Sequence, residues 1–347
     1  MKILHIAPHF GGGIAPAVVG ISEAINATHK LIEIEKTKDT TSLKLLNLNK
    51  LIPECINRFT DLNEVTNGTD LVIFHYWETG IWSDLIKYNL SISTKSSALL
   101  NHQAFSFNGS KIQQIGNLFT FIIQSGYNYD QIPSGWDIVP TCNTKPRVSN
   151  HNALRSPNAV YLGTLAYKKV DKNFFKLATK LNDRGITLDI YGKESDSIFF
   201  SDMKINQSTN LLFQGYTSNS SNVLRNYTYF FYPLRSDHYG TTENSLLEAM
   251  SEGLIPLVRN NLTEKKIIGN DLIDILDIEK CLNLKKSPLF DELNFTRNLS
   301  TILRSRALSL TSLSIRQAKW ELILARIKPN TINMDLTLIA QQIIRGI

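Results

Sequence analysis

Apolar and polar positions alternate along this chain in short blocks. Lys2–Ala7 (KILHIA) is a largely apolar run that Pro8 ends, which predicts a strand buried on both faces of a parallel sheet. The loop Phe10-Gly11-Gly12-Gly13-Ile14-Ala15-Pro16 follows, then an apolar stretch that predicts a helix over Ala17–Ile25. The alternation continues with a short strand at Leu31–Glu35, a mixed Leu- and Lys-rich segment at Leu43–Leu51 and a buried strand at Asp70–His75. A helix at Ile81–Tyr88, a strand at Ser97–His102 and short strands at Phe119–Ser125 and Trp136–Pro140 complete the series. Thr141–Pro157 is polar, punctuated by proline and without periodicity, the signature of a linker between domains.

The pattern then restarts. Asn158–Gly163 reads as a strand, Phe174–Asn182 as an amphipathic helix, and Thr187–Gly192, Asn210–Gly215 and Tyr227–Pro233 as further strands. Pro233–Pro256 (PLRSDHYGTTENSLLEAMSEGLIP) organises the second half. A polar loop, Ser236–Thr242, runs into a helix, Glu243–Glu252, which stops at Gly253 before a buried strand, Ile255–Val258. Asn261–Ile267 and Asp271–Ile278 suggest one more unit. Asp291–Arg326 is amphipathic and helical, Pro329 breaks it, and Met334–Ile344 is helical again. The expected fold is α/β: two doubly wound domains, residues 1–150 and 151–328, with a terminal piece at 329–347.

Composition changes this picture little. The chain has 347 residues, 42% of them hydrophobic, with no run near the roughly 18 apolar residues of a membrane span. Strand residues start within the first few positions, so no signal peptide is expected. Cys55, Cys142 and Cys281 are too scattered for a disulfide framework or a metal site. A cytoplasmic protein is expected. The net charge of +6 suits anionic small molecules and peripheral contact with acidic lipid at the inner membrane surface. Its basic residues are dispersed, which argues against nucleic acid.

Chemistry is concentrated at strand ends. Gly12 and Gly13 let backbone approach a phosphate or sugar, though a tight turn would look the same. The loop residues Gly240, Thr241 and Thr242 precede a helix whose first N–H groups, at Glu243, Asn244 and Ser245, suit a phosphate. Glu248 lies one turn in. Ser245 and Glu248 also fit a capping box, in which Glu248 merely ties off a backbone N–H. His75 and His102 stand at the carboxyl ends of their strands, where open α/β sheets bind ligands.

Tyr239-Gly240 and Leu247-Glu248-Ala249-Met250, with Gly163, Leu165 and Lys169 after the first strand of the second half, resemble the donor-site motifs of GT-B glycosyltransferases, especially retaining family 4. The resemblance implies the GT-B fold, with the site in the cleft between two Rossmann-like domains and the terminal helix crossing back onto the first. It implies glycosyl transfer, with retention and without a metal or other cofactor, from a nucleotide diphosphate sugar (UDP- or GDP-linked) to a glycan or lipid-linked acceptor. Bacterial surface polysaccharide such as O-antigen or capsule is the expected setting. In this likeness Lys169 neutralises the donor diphosphate, Glu248 holds the ribose hydroxyls and His102 contacts the donor sugar. Gly192, Lys193, Gly215 and Tyr216 flank the base, a place ordinary turns would also fill.

Two departures stand out. Thr164 occupies the place of the family's arginine, which with Lys169 would neutralise the diphosphate; a lysine is a point charge and does not replace a bidentate guanidinium, and Lys168 or Arg235 is left to supply the missing charge. The family's first glutamate falls on Gly240, and its role passes to Asp237 or Glu243, with Glu243 preferred for the sugar hydroxyls. Two rival readings remain: a nucleotide-sugar epimerase on the same fold, and a sugar-binding or assembly subunit that has lost turnover.

Overall fold

The computed structural model describes residues 1–58, 66, 68–88, 91–127, 132–141 and 156–345. Cys142 and most of the Thr141–Pro157 segment lie outside the described residues. The chain divides into two compact units: Met1–Asn143 with Gly240–Thr242 and Thr311–Ile347, and Thr144–Tyr239 with Glu243–Leu310. The first unit thus regains the chain at Thr311, ahead of Pro329.

In the first unit, parallel strands β1 (Lys2–Ala7), β2 (Thr28–Glu33), β3 (Pro53–Cys55), β4 (Thr69–Tyr76), β5 (Ser91–Asn101), β6 (Phe121–Ser125) and β7 (Asp137–Val139) lie in the order β3-β2-β1-β4-β5-β6-β7. The order reverses between β1 and β4, which sets a topological switch point at the Phe10–Gly13 loop. A last strand, Ile332–Asp335, pairs antiparallel with β5 (Met334 opposite Ile92). The sequence pattern assigned part of it to a helix; the helix begins at Leu336.

Alternate strand residues face opposite helix layers. Leu4, Ile6, Val72, Phe74 and Leu99 pack with Leu336, Ile339 and Ile343 of the Leu336–Arg345 helix. Ile3, Leu71, Ile73 and Leu100 pack with Ile21, Trp320 and Ile323. Arg316, buried on that second side, donates from Nη1 to the Gly20 carbonyl at 2.7 Å and pairs with Glu23 at 3.3 Å.

Several local readings shift. The first helix spans Ile14–Ala24 and so includes Pro16, because a first-turn proline lacks only an N–H that has no helical partner. Thr40–Leu48 is a helix capped by Asp39, which accepts from Thr41 N at 3.2 Å. Gly80–Tyr88 is 3₁₀ rather than α. The Asp291–Arg326 stretch splits at Thr311, where Ser312 caps a new helix, Leu313–Leu324. The helices Phe105–Gly116 and Ser197–Asn206 carry no strong apolar stripe in sequence and emerge only in the structure. No helix among the described residues is long and apolar enough to cross a membrane.

In the second unit β8 (Ser156–Leu162), β9 (Leu188–Tyr191), β10 (Leu211–Gly215), β11 (Tyr227–Tyr232) and β12 (Ile255–Val258) form an all-parallel sheet in the order β10-β9-β8-β11-β12. Its switch point lies between β8 and β11. The loops that leave those two strands carry most of the residues singled out above.

Candidate functional site

The two switch-point loops of the second unit are joined through their backbones. Asp171 N donates to Pro233 O at 2.8 Å and Arg235 N to Lys169 O at 3.1 Å, around a Val170–Leu234 bridge. Asn261, at the head of the Leu262–Ile268 helix, donates from its side chain to Leu234 O at 3.1 Å and Arg235 O at 3.3 Å. Lys169 is therefore placed by backbone pairing, not by the flexibility of a surface loop.

Its ammonium sits in a buried charge cluster. Lys169 Nζ lies 3.0 Å from Glu243 Oε2, with the two side chains 14% and 1% exposed. Tyr232 donates its hydroxyl to the same carboxylate oxygen at 2.5 Å. The rings of Tyr232 and Tyr239 lie 5.9 and 5.8 Å from Nζ, within cation–π range. His238 stands between two carboxylates, with Nδ1 3.4 Å from Glu243 Oε1 and Nε2 3.2 Å from Glu264 Oε1.

Burial opposes every charge here, and the partners overcome it. Lys169 is held above its ordinary value by Glu243 against desolvation. Glu243 is held below its ordinary value by Lys169 and His238, again against desolvation. His238 is raised, desolvation being outweighed by Glu264 and then Glu243. Burial and the Glu243 charge push the Tyr161 and Tyr232 hydroxyls well up. Lys169 and His238 thus face Glu243 and Glu264.

Because its folded value is raised, the His238 imidazolium contributes stability fully below its ordinary value of 6.5 and loses it as pH rises through the folded value. Wild-type protein should therefore lose stability upward from about pH 6.5, whereas His238→Gln should show a flatter profile there. Equal slopes for the two in urea melts across pH 6–9 would remove His238 from the balance.

Glu243 also sets the backbone. It adopts φ 44° and ψ 62°, a left-handed conformation that costs a glutamate about 1–3 kcal/mol. It stands at the N-cap of the Asn244–Ser251 helix, where its carbonyl accepts from Leu246 N at 3.0 Å and Leu247 N at 3.1 Å. The Glu243 side chain does not cap that helix, and the N–H groups of Asn244 and Ser245 have no intrahelical acceptor. Ser245 lies inside the helix, not ahead of it, and the capping box with Glu248 does not form in that register. At the other end Gly253 takes φ 81° and Leu254 N bonds Ala249 O at 2.9 Å, a glycine stop.

The remaining sequence candidates differ in how far their groups are already committed. Glu248 lies on the helix, partly exposed. Gly163 leaves no free space, since a Cβ there would meet Tyr161 Oη at 3.0 Å. Lys168 is exposed. Arg235 forks onto Asp237, Nη2 to Oδ2 at 2.6 Å, and donates from Nη1 to Tyr167 O at 3.2 Å. Its guanidinium is thus already engaged, and Asp237 is an exposed partner rather than a match for the buried Glu243. The Glu243 carboxylate is itself enclosed by protein groups, so it acts on Lys169 and the helix head rather than presenting an open face to hydroxyls. Gly192 is needed by packing: a Cβ would come within 2.2 Å of Gly163 O. Lys193 Nζ lies 4.7 Å from the Tyr216 ring centre.

In the first unit, Gly12 has φ 60° and its N–H meets Asp39 Oδ2 at 3.3 Å, with open space around both Gly12 and Gly13. Thr241 and Thr242, with Gly240, cluster with this unit. Thr241 O accepts from Tyr127 N at 3.1 Å, and Thr242 Oγ1 lies 3.4 Å from Ser125 Oγ. His102 follows β5, its N–H donating to Tyr76 O at 2.9 Å, and its carbonyl meets Thr241 Oγ1 at 3.5 Å. His75 is fully buried beside it.

Residues 144–275, which hold the whole Lys169 cluster, match the family model described as Glycosyl transferases group 1. That stretch is a glycosyltransferase domain. The fold is GT-B, as shown by solved structures that align at low identity. Anabaena HepE, in complex with UDP and glucose, aligns at TM-score 0.66 and 11% identity over 94% of this chain and 100% of its own. A glycosyltransferase from Rickettsia africae aligns at 0.61 and 12% over 95% and 99%. S. aureus TarM aligns at 0.58 and 12% over 76% of this chain, which spans 57% of the TarM chain. No curated protein matches by sequence.

Sequence reasoning missed His238, Glu264, Tyr232 and Tyr161. His238 and Glu264 stand 26 positions apart, so no local spacing joins them. A weak signal existed in the aromatic run of β11, YTYFFY.

Proposed function

We propose that this glycosyltransferase domain moves a sugar from a nucleotide diphosphate donor to a glycan or lipid-linked acceptor, with retention and without a metal. The observation that carries the reading is the Asn244–Ser251 helix, which its N-cap side chain leaves uncapped and whose head is set by a left-handed Glu243 tied to Lys169. An uncapped helix N-terminus favours an anion by dipole and free N–H groups together. In this reading Lys169 and the first-turn N–H groups of Asn244 and Ser245 stabilise the diphosphate leaving group as charge develops. Gly12, Gly13, Gly163 and the Gly240–Thr242 loop supply close backbone, Glu248 holds the ribose hydroxyls and His102 meets the sugar. The UDP bound in HepE and TarM makes UDP the first donor to try. Surface polysaccharide assembly by a cytoplasmic protein, in peripheral contact with the inner membrane face, is the setting we assign to it.

A second reading, a nucleotide-sugar-binding subunit without turnover, is favoured by one feature. The Lys169 cluster is already balanced in charge by Glu243 and Glu264, and Thr164 offers the diphosphate no cation.

A thermal-shift screen with UDP, GDP, ADP and CMP separates these readings from a structural one. One nucleotide should raise the melting temperature of the wild type, by mass action worth about 2.7 kcal/mol at a hundredfold excess over Kd. Glu248→Ala should abolish that shift. If no nucleotide binds, the donor-site reading falls; if one binds but its sugar conjugates are never turned over with acceptors present, the subunit reading stands.

A further inference from the structure

Four of the seven histidines form one hydrogen-bonded file through the first unit. His29 Nδ1 lies 2.9 Å from His5 Nε2, His5 Nδ1 lies 2.8 Å from His75 Nε2, and His75 Nδ1 lies 3.0 Å from His102 Nε2. Successive ring centres are 5.2, 5.1 and 5.2 Å apart, with the His75 and His102 rings parallel to within 9°. The members come from β2, β1, β4 and the residue after β5. They therefore run diagonally across one face of the sheet, from the side of β2 toward the carboxyl ends of β4 and β5.

The outer end of the file is anchored. His29 Nε2 lies 3.2 Å from the carbonyl oxygen of Ile25, and a carbonyl can only accept. A neutral imidazole carries a single N–H. His29 must then hold its proton on Nε2 and offer Nδ1 as acceptor. His5 can fill that acceptor only by donating from Nε2, which leaves its own Nδ1 to accept from His75. His75 donates from Nε2 in turn, and so does His102. One main-chain carbonyl decides four tautomers. Burial keeps the file neutral: it lowers His29, His5 and His75, and takes His102 down to about 3.

We infer that His29, His5 and His75 are positioning residues that hold His102 as the Nε2–H tautomer, so that its Nδ1 is a fixed hydrogen-bond acceptor for a ligand hydroxyl and rejects an anion. Identifying that hydroxyl with one on the transferred sugar rests on the function proposed above; the tautomer itself does not. Such a neutral acceptor selects the opposite kind of ligand group from the cationic Lys169.

The test is two-bond ¹H–¹⁵N correlation spectroscopy of the full chain labelled at histidine, with single-histidine variants for assignment. In the wild type, His5, His29, His75 and His102 should each show a protonated Nε2 and a bare Nδ1. His29→Phe removes the acceptor and the anchor together, and should move a large share of His102 to the Nδ1–H form. His29→Gln keeps a donor for Ile25 O and an acceptor for His5, and should restore the wild-type pattern. A wild-type His102 with its proton on Nδ1, or a His102 tautomer unchanged in a folded His29→Phe, overturns the inference. If His29→Phe does not fold, the wild type and His29→Gln decide: a bare His102 Nδ1 in both supports the inference, and a protonated one in either overturns it. Neither readout needs a donor or turnover, so a failure here is distinct from a negative nucleotide screen.

Discussion

Glu243→Ala should destabilise the second unit by about 3–5 kcal/mol, the usual consequence of leaving one member of a buried ion pair without its counter-charge. Lys169 would keep only the tyrosine rings and Glu264 for company, in a site where its side chain is 14% exposed. Lys169→Met alone should be harmful for the reciprocal reason, since Glu243 would face only Tyr232 and His238. The double variant Lys169→Met/Glu243→Ala should be more stable than the sum of the two losses by over ~1 kcal/mol, the coupling expected of groups in direct contact. Glu243→Gly adds a separate arm: glycine accepts φ 44° without strain, so it should lie above Glu243→Ala in stability although both lack the carboxylate. Urea melts followed by tryptophan fluorescence measure all four. Strict additivity within about 0.5 kcal/mol would show that the pair is not a stabilising unit.

Lys169→Ala should lower kcat for glycosyl transfer by about 10²–10³-fold, the range seen when one preorganised group facing developing negative charge is lost. On the proposed function the stabilised charge grows on the leaving diphosphate, so the effect should fall on kcat more than on KM. Lys169→Arg should recover only part of the rate, because the guanidinium is larger and directional where the ammonium is a point charge. Assays belong well below the melting temperature, with circular dichroism confirming a folded variant. A kcat within about threefold of wild type in a folded Lys169→Ala, against the loss expected of a charge-stabilising group, would move the lysine from chemistry to architecture and leave the helix head as the sole phosphate group.

The histidine file and the Lys169 cluster share a design. Each uses burial to make a hydrogen-bonding state unambiguous: the file by holding imidazoles neutral in one tautomer, the cluster by holding opposite charges within reach of each other. In a low-dielectric surrounding an unpaired member of either set is costly. The arrangement therefore depends on every partner, and the protonation of each group is decided in advance by its neighbours.

The order of elements along this chain was legible without coordinates, because strand, glycine loop and helix are local choices made over a few residues. Lys2–Ala7, Asp70–His75 and Tyr227–Pro233 announce buried strands by their apolar runs, and Tyr239-Gly240 with Leu247–Met250 announces the helix that β11 delivers. The same stretch pointed to Glu243, and the match of Gly163, Leu165 and Lys169 after the first strand of the second half pointed to Lys169. What each residue does there was decided by tertiary structure alone. Backbone pairing of the Lys169–Asp171 and Pro233–Arg235 segments joins loops far apart in sequence, and only that pairing gives Lys169 its carboxylate. His5 and His29 look like polar interruptions of core strands until the β2-β1-β4-β5 register sets them side by side. Periodicity reports how a segment meets its surroundings. The protonation and pairing of a buried group depend on distances across strands, and no local spacing encodes those.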